Sequence, residues 1–212
     1  MLSEEKEDYL KAIYTLGGTE HYISNKQLAE QLNIRPPSVT EMVGRLTKEG
    51  FTESKAYRGT RLTSKGLDTA LKLVKRHRLI ECFLIQSLGY KWDEVHREAE
   101  VLEHRVSDLF IDRLDQLLDY PEYCPHGSLI PRGEDVHEQL KQVIQLAAGD
   151  QFRLRKVHDE YALLAYLTDY EVAINDMIDV LKIDEANQIM YLKHTVPFAI
   201  SFDNARKMFT DS

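Results

Sequence analysis

At 212 residues, 43% of them hydrophobic, the chain is long enough for one to two domains with a buried core. No run approaches the roughly 18 apolar residues of a membrane span. The opening MLSEEKEDYL is acidic and the two cysteines make no disulfide framework, so a cytoplasmic protein with no membrane role is expected. A net charge of −8 argues against nucleic acid until it is divided along the chain. Residues 33–78 hold 11 Lys/Arg against 4 Asp/Glu, while 79–150 hold 6 against 15 and four of the eight histidines.

Taken in order, Tyr9, Leu10, Ile13, Tyr14 and Leu16 fall near helical spacing and end at Gly17-Gly18. Ser24 with Gln27 reads as a capping box opening a helix through Leu28, Ala29 and Leu32. After Asn33-Ile34-Arg35, Pro36-Pro37 starts another, whose Val39, Met42, Val43 and Leu46 recur until Gly50. Residues 51–63 are expected to form a basic hairpin centred on Tyr57-Arg58-Gly59. A long helix is expected over 64–88, then a second from a cap at Asp93 to about Leu118. Residues 121–133 carry three prolines and two glycines and read as loop. A short helix is expected over 136–146, and a small barrel-like β-domain over about 150–212.

Helix, three-residue turn, helix and basic hairpin make a winged helix-turn-helix pattern. Its second helix presents Ser38, Thr40, Glu41 and Arg45 away from the apolar positions, with Arg35 and Pro37 at its start. Short polar groups near a helix N-terminus suit phosphates and major-groove edges alike, and Arg45 is long enough for either. Lys55, Arg58 and Arg61 on the hairpin would neutralise flanking phosphates. A helical hairpin packing on another protein element is the competing reading.

His96, Glu100, Glu103 and His104 stand at offsets 0, 4, 7 and 8, within an arc of about 100° on one helix face. His77 and Glu81 form an i, i+4 pair on the preceding helix. Two helices offering carboxylate and imidazole to one space suit a metal; an exposed acidic face is the alternative. Glu98, Asp108 and Asp112 read as solvated charges, and His21, His137, His158 and His194 as structural or exposed. Glu134-x-x-His137 is half of a di-iron motif without a second copy. Oxygen and imidazole donors suit Mn2+ or Fe2+, although Zn2+ or Cd2+ would also bind in vitro. A metal-dependent hydrolase or oxidase using the cluster competes with a regulator, but no distinct nucleophile, phosphate loop or small organic substrate site is legible.

The stretches KEDYLKAIY (6–14), PPSVTEMVGRL (36–46), KRHRLIE (75–81), EAEVLEH (98–104) and CPHG (124–127) resemble the diphtheria toxin repressor family of metal-dependent regulators, specifically its manganese-responsive branch in Gram-positive bacteria. The resemblance implies a mainly α chain with a small β domain. It divides into a winged helix-turn-helix domain at 1–70, a helical dimerisation and metal-binding domain at 71–148, and an SH3-like C-terminal β-barrel at 149–212. By position it places a primary site at Asp8, His77, Glu100, Glu103 and His104. A secondary site follows at Glu81, Cys124, His126 and Asp159, giving two ions per chain. His96, in the cluster by spacing, has no settled role in that pattern. Lys11 stands where one manganese-type pattern has a further glutamate, which disfavours a binuclear site of that kind. Cys124 is unusual for manganese and has a second reading as a structural thiol; Cys82 reads as buried core. The implied function is a homodimeric, manganese-dependent repressor of metal-uptake genes, with an iron-responsive regulator as the alternative. A palindromic double-stranded operator would require the dimer's reading helices about 34 Å apart.

Overall fold

The computed structural model describes residues 2–133 and 138–211. The chain divides into two compact units, Met1–Arg76 with Pro131–Asp135 and His77–Ile130 with Val136–Ser212. The first is built from α1 (Glu4–Thr15), α2 (Asn25–Gln31), α3 (Pro36–Lys48), β1 (Thr52–Lys55), β2 (Gly59–Leu62) and the start of α4 (Ser64–Leu88). Both halves of the Ser24–Gln27 capping box form, and Pro36 occupies the first turn of α3, where the absent N–H loses no intrahelical bond. Leu10, Ile13, Leu28, Val39, Leu46 and Leu62 bury the facing stripes in one core.

β1 and β2 pair antiparallel from Thr52↔Leu62 to Lys55↔Gly59, forming the wing expected over 51–63. Ile23 bridges to Thr60 on the other side of β2. Gly59 makes that approach possible: at φ +110°, a Cβ there would lie 2.1 Å from the Ile23 carbonyl oxygen.

The second unit holds two cores. Around the first, Leu79, Ile80, Leu84, Val95, Ala99, Ile111 and Leu114 join α4 to α5 (Val95–Leu102) and α6 (Asp108–Leu117), and Cys82 is buried among them. The single helix expected from Asp93 to Leu118 is therefore two, and Glu94 rather than Asp93 is the first N-cap. Ser107 explains the break: its side chain accepts from the Phe110 N–H and caps α6, a bond a continuous helix would forgo. Residues 121–133 carry no helix or strand beyond an isolated Tyr123↔Leu129 bridge.

The second core belongs to a β-rich domain. It comprises β3 (Leu140–Gln142), a 3-10 turn at Val143–Gln145, β4 (Gln151–Arg153), β5 (Lys156–Val157), α7 (Tyr161–Asp169), β6 (Met177–Asp184), β7 (Ile189–Lys193), β8 (Pro197–Ser201), α8 (Phe202–Ala205) and β9 (Met208–Asp211). Four strands run in the order β4-β6-β7-β8 and three in the order β3-β9-β5. The helix expected over 136–146 is not present at 140–142, where Leu140, Lys141 and Gln142 pair with Asp211, Thr210 and Phe209. A partner strand some 70 residues away decides that segment, and residues 136 and 137 of the expected helix lie outside the described residues. No described helix is long and apolar enough to cross a membrane.

Candidate metal centre and DNA-reading face

In the first unit, α3 buries Val39, Met42, Val43 and Leu46 and exposes Pro37, Ser38, Thr40, Glu41 and Arg45. Arg35 is its exposed N-cap, and Gly44 and Lys48 extend the same open face, both overlooked in the sequence pattern. Thr40 Oγ1 is fixed between the Pro36 carbonyl, to which it donates at 3.2 Å, and Asn25 Nδ2, from which it accepts at 2.9 Å. Arg45 pairs with Glu41 one turn back at 2.5 Å. On the wing, Arg61 donates to Glu53, which also accepts from the Tyr22 hydroxyl at 2.7 Å. The Tyr22 hydrogen bond and then Arg61 hold the Glu53 carboxyl below its ordinary value. Lys55 Nζ and the Arg61 guanidinium lie 5.1 and 5.0 Å from the centroid of the Tyr22 ring. Arg58 and Tyr57 stand exposed at the tip. Tyr22 was missed because it belongs to no periodic run; only pairing of the wing reveals its neighbours.

In the second unit, α4 presents His77 and Glu81 on one face, 6% and 1% exposed. His77 Nε2 lies 3.0 Å from Glu81 Oε1 and its Nδ1 lies 2.5 Å from Glu103 Oε2. Glu103 is the C-cap of α5 and wholly buried; a carboxylate so placed requires opposite charge. Glu100, half exposed on α5, lies 3.7 Å from His77 Nδ1, and His104 lies 3.5 Å from Glu103. His96 Nδ1 approaches Asp159 Oδ2 to 2.6 Å without a hydrogen bond's alignment.

The loop Cys124-Pro125-His126-Gly127 brings in the remaining donors. His126 Nδ1 stands 3.4 Å from Glu81 Oε1 and 3.7 Å from Asp159 Oδ2. Gly127 lets the loop lie against the β-rich domain: at φ +79°, a Cβ would come within 1.9 Å of the Arg155 carbonyl oxygen. Asp159 lies in the connection between β5 and α7, so the third domain contributes a ligand-type group.

Burial would lower the His77 pKa, but the carboxylates of Glu81, Asp159 and Glu103 hold it well above 6.5. His126, against the same cost of burial, is pushed up to about 12 by Cys124, Glu81 and Asp159. Burial would raise Glu81, yet His77 and His126 hold it well below 4.5. Imidazoliums thus occupy the role that a cation would fill.

The donor atoms suit a metal. Those of His77, Glu81, His96 and Asp159 lie within 4.8 Å of one another, as do those of Glu81, Cys124 and His126, and of His77, Glu100 and Glu103. His126 Nδ1 and His96 Nδ1, both buried without hydrogen bonds, lie 3.7 and 2.6 Å from Oδ2 of Asp159, whose Oδ1 is likewise buried without one. His77 stands between the two sets of donor groups that the family resemblance separates, and His96 joins the Glu81 side. Asp8 lies half-buried on α1 in the first unit. Glu98, Asp108 and Asp112 are exposed, as are His21 and His158, and His194 faces Asp176 at 3.5 Å. Glu134 and His137 lie outside the described residues.

A DNA-reading winged helix and a buried carboxylate–imidazole centre in one chain define a metal-dependent transcriptional regulator. Residues 1–60 match the family model "Iron dependent repressor, N-terminal DNA binding domain", and residues 63–132 match "Iron dependent repressor, metal binding and dimerisation domain". The chain belongs to this iron-dependent repressor family, the diphtheria toxin repressor family of the motifs above. The HTH-type transcriptional regulator MntR of Oceanobacillus iheyensis is 38% identical over 120 residues, 57% of this chain and 81% of the relative. MntR of Bacillus subtilis is 38% identical over 122 residues, 58% and 85% of the two chains. Solved structures extend the likeness through the β-rich domain. ScaR with bound Cd2+ is 40% identical with a TM-score of 0.86, covering 98% of this chain and 99% of that one. The manganese regulator SloR is 37% identical at 0.84, covering 98% of each. These relatives are regulators, and the hydrolase or oxidase reading has no support among them.

Proposed function

We propose that this chain is a manganese-dependent repressor of metal-uptake genes, acting in the cytoplasm as a homodimer on palindromic operators. The observation that carries the reading is the packing of His77, Glu81, Glu103 and His126, each at most 6% exposed, around shared space. So many carboxylates and imidazoles are not buried together without a charge to balance them. The oxygen and imidazole donors suit Mn2+ or Fe2+, and Cys124 is the one softer donor among them. ScaR is described as a manganese-activated repressor, and another similar structure as a manganese-dependent repressor in complex with manganese.

Two ions per chain are proposed. Glu81, Cys124, His126 and Asp159 would hold one, with His96 and His77 beside them; Asp8, Glu100, Glu103 and His104 would hold the other, with His77 on its edge. The assignment of Asp8 rests on the KEDYLKAIY motif. A divalent cation supplies the positive charge that lets these carboxylates share one space. The chain's own part is to hold donors from α4, α5, the Cys124 loop and the β5–α7 connection in register. Ser38, Thr40, Glu41 and Arg45 would meet the major groove, with Arg35 and Pro37 at the helix start, while Lys55, Arg58 and Arg61 meet phosphates. Because metal and operator favour the same form, each must tighten the other. The first domain would run over 1–70, and the expected boundary at 148/149 would shift to before β3 (Leu140–Gln142), which pairs with β9 of the third domain.

Selection from a random duplex library at fixed salt tests the reading, with Mn2+, with Fe2+ and with chelator. A palindrome recovered with Mn2+ alone is expected. Recovery with Fe2+ alone would make the regulator iron-responsive. Equal recovery in chelator would reduce the cluster to a structural role.

A further inference from the structure

The Cys124–His126 loop is held by more than its ligands. Trp92, in the turn before α5, meets His126 twice. Its carbonyl oxygen lies 2.8 Å from Nε2, and its indole stacks on the imidazole with centroids 6.1 Å apart and planes 22° apart. The same indole packs against the core of the β-rich domain, and its Nε1 donates to Thr168 Oγ1 on α7 at 2.6 Å. Thr168 in turn donates to the Leu164 carbonyl at 2.9 Å. The loop backbone is tied to that domain as well, for the Val157 N–H donates to the His126 carbonyl at 3.0 Å.

A carbonyl oxygen only accepts, so Nε2 keeps its proton in this contact, and Nδ1 is the nitrogen that gives up its proton and offers a lone pair when a cation binds. That Nδ1 is buried, makes no hydrogen bond of good geometry and faces Glu81 and Asp159. We infer that Trp92 is a positioning residue for the metal site: its carbonyl aims His126 Nδ1 at the ligand space, and its indole, clamped against the β-rich domain, holds that carbonyl in place. The inference rests on the reading that Glu81, Cys124, His126 and Asp159 hold a divalent cation. It gives the third domain a role beyond supplying Asp159, namely setting the donor atom of a ligand on another element. Partners of this kind, behind the ligands themselves, change metal affinity by about 10- to 100-fold when removed.

The test uses the full chain labelled with 15N and loaded with 113Cd2+, read by ring-nitrogen coupling, with Cd2+ affinity measured by calorimetry. In the unsubstituted protein the His126 coupling is expected on Nδ1. Trp92→Ala should weaken Cd2+ at this site at least about tenfold and diminish or move the coupling. Trp92→Phe, which keeps a stacked ring, should restore most of both. Trp92→Leu carries the expectation of Trp92→Ala if that variant does not fold in chelator. Coupling on Nε2 in the unsubstituted protein, or unchanged affinity and coupling in Trp92→Ala or Trp92→Leu, would overturn the inference. His126→Ala separates the two levels. Undiminished Cd2+ binding there would overturn the metal-site reading itself, and the inference with it.

Discussion

The buried carboxylate of Glu103 lies 2.5 Å from Nδ1 of His77, whose Nε2 lies 3.0 Å from the equally buried Glu81. One imidazole thus bridges two carboxylates from different elements, and its charge state governs the metal-free chain. His77 and His126 both hold protons above the ordinary 6.5. Their stabilisation is therefore full below that value and is lost as pH rises from it toward the folded values. Glu81, held below 4.5, contributes above that value and loses its contribution as pH falls beneath it. In chelator, the urea midpoint should accordingly fall between about pH 6.5 and 8.5. Added Mn2+ should reverse the slope, because ligands must shed protons to bind it. A chelator midpoint that rises over this range would contradict the bridging role of His77.

Asp8→Ala tests the one proposed ligand carried by motif alone. It should weaken Mn2+-dependent operator binding while leaving the dimer intact by sedimentation. Normal operator binding at limiting Mn2+ would remove Asp8 from the ligand set.

Much of this arrangement was legible beforehand because it is local. The Ser24–Gln27 box, the Pro36 start and the 64–88 helix are set by neighbours within a few residues. The division of the 93–118 stretch into two helices turns on which of two roles Ser107 takes, and spacing cannot decide that. Leu140–Gln142 has no local pattern to mark it as a strand, since its partner is β9. In the candidate centre, helical offsets grouped His77, Glu81, His96, Glu100, Glu103 and His104, whereas Asp8, Cys124, His126 and Asp159 entered only through the family resemblance. That His77 faces both carboxylate groups, and that Trp92 lies behind His126, follows only from the packing of α4, the Cys124 loop and the β-rich domain.

Glu53 places a negative charge on the wing, where it holds the Arg61 guanidinium. If Arg61 meets a phosphate, the two compete for it. Glu53→Gln should therefore tighten operator binding and steepen its salt dependence. Weaker binding in this variant would show instead that Glu53 orients Arg61 for DNA.

Arg58 is exposed at the wing tip, beyond the Tyr22–Glu53–Arg61 cluster. Arg58→Ala should weaken binding by a similar factor on all duplexes and reduce the salt slope by about one. A changed base preference would assign it to a groove edge rather than to a phosphate.

The exposed apolar residues of α5 and α6 bear on assembly. Val101, Leu109 and Leu117 are 64, 66 and 68% exposed, and Phe110 is 44% exposed. Four large apolar side chains left exposed on α5 and α6 would be covered by a second copy, because this region matches the dimerisation model. Replacing Leu109 and Leu117 with glutamate would bring like charges together across a two-fold contact. The doubly substituted chain should sediment as a monomer, bind Cd2+ as before and lose palindromic operators, because a single reading helix engages one half-site. A variant that stays dimeric would place the interface elsewhere in the chain. One that becomes monomeric yet keeps full operator affinity would overturn the requirement for two reading helices.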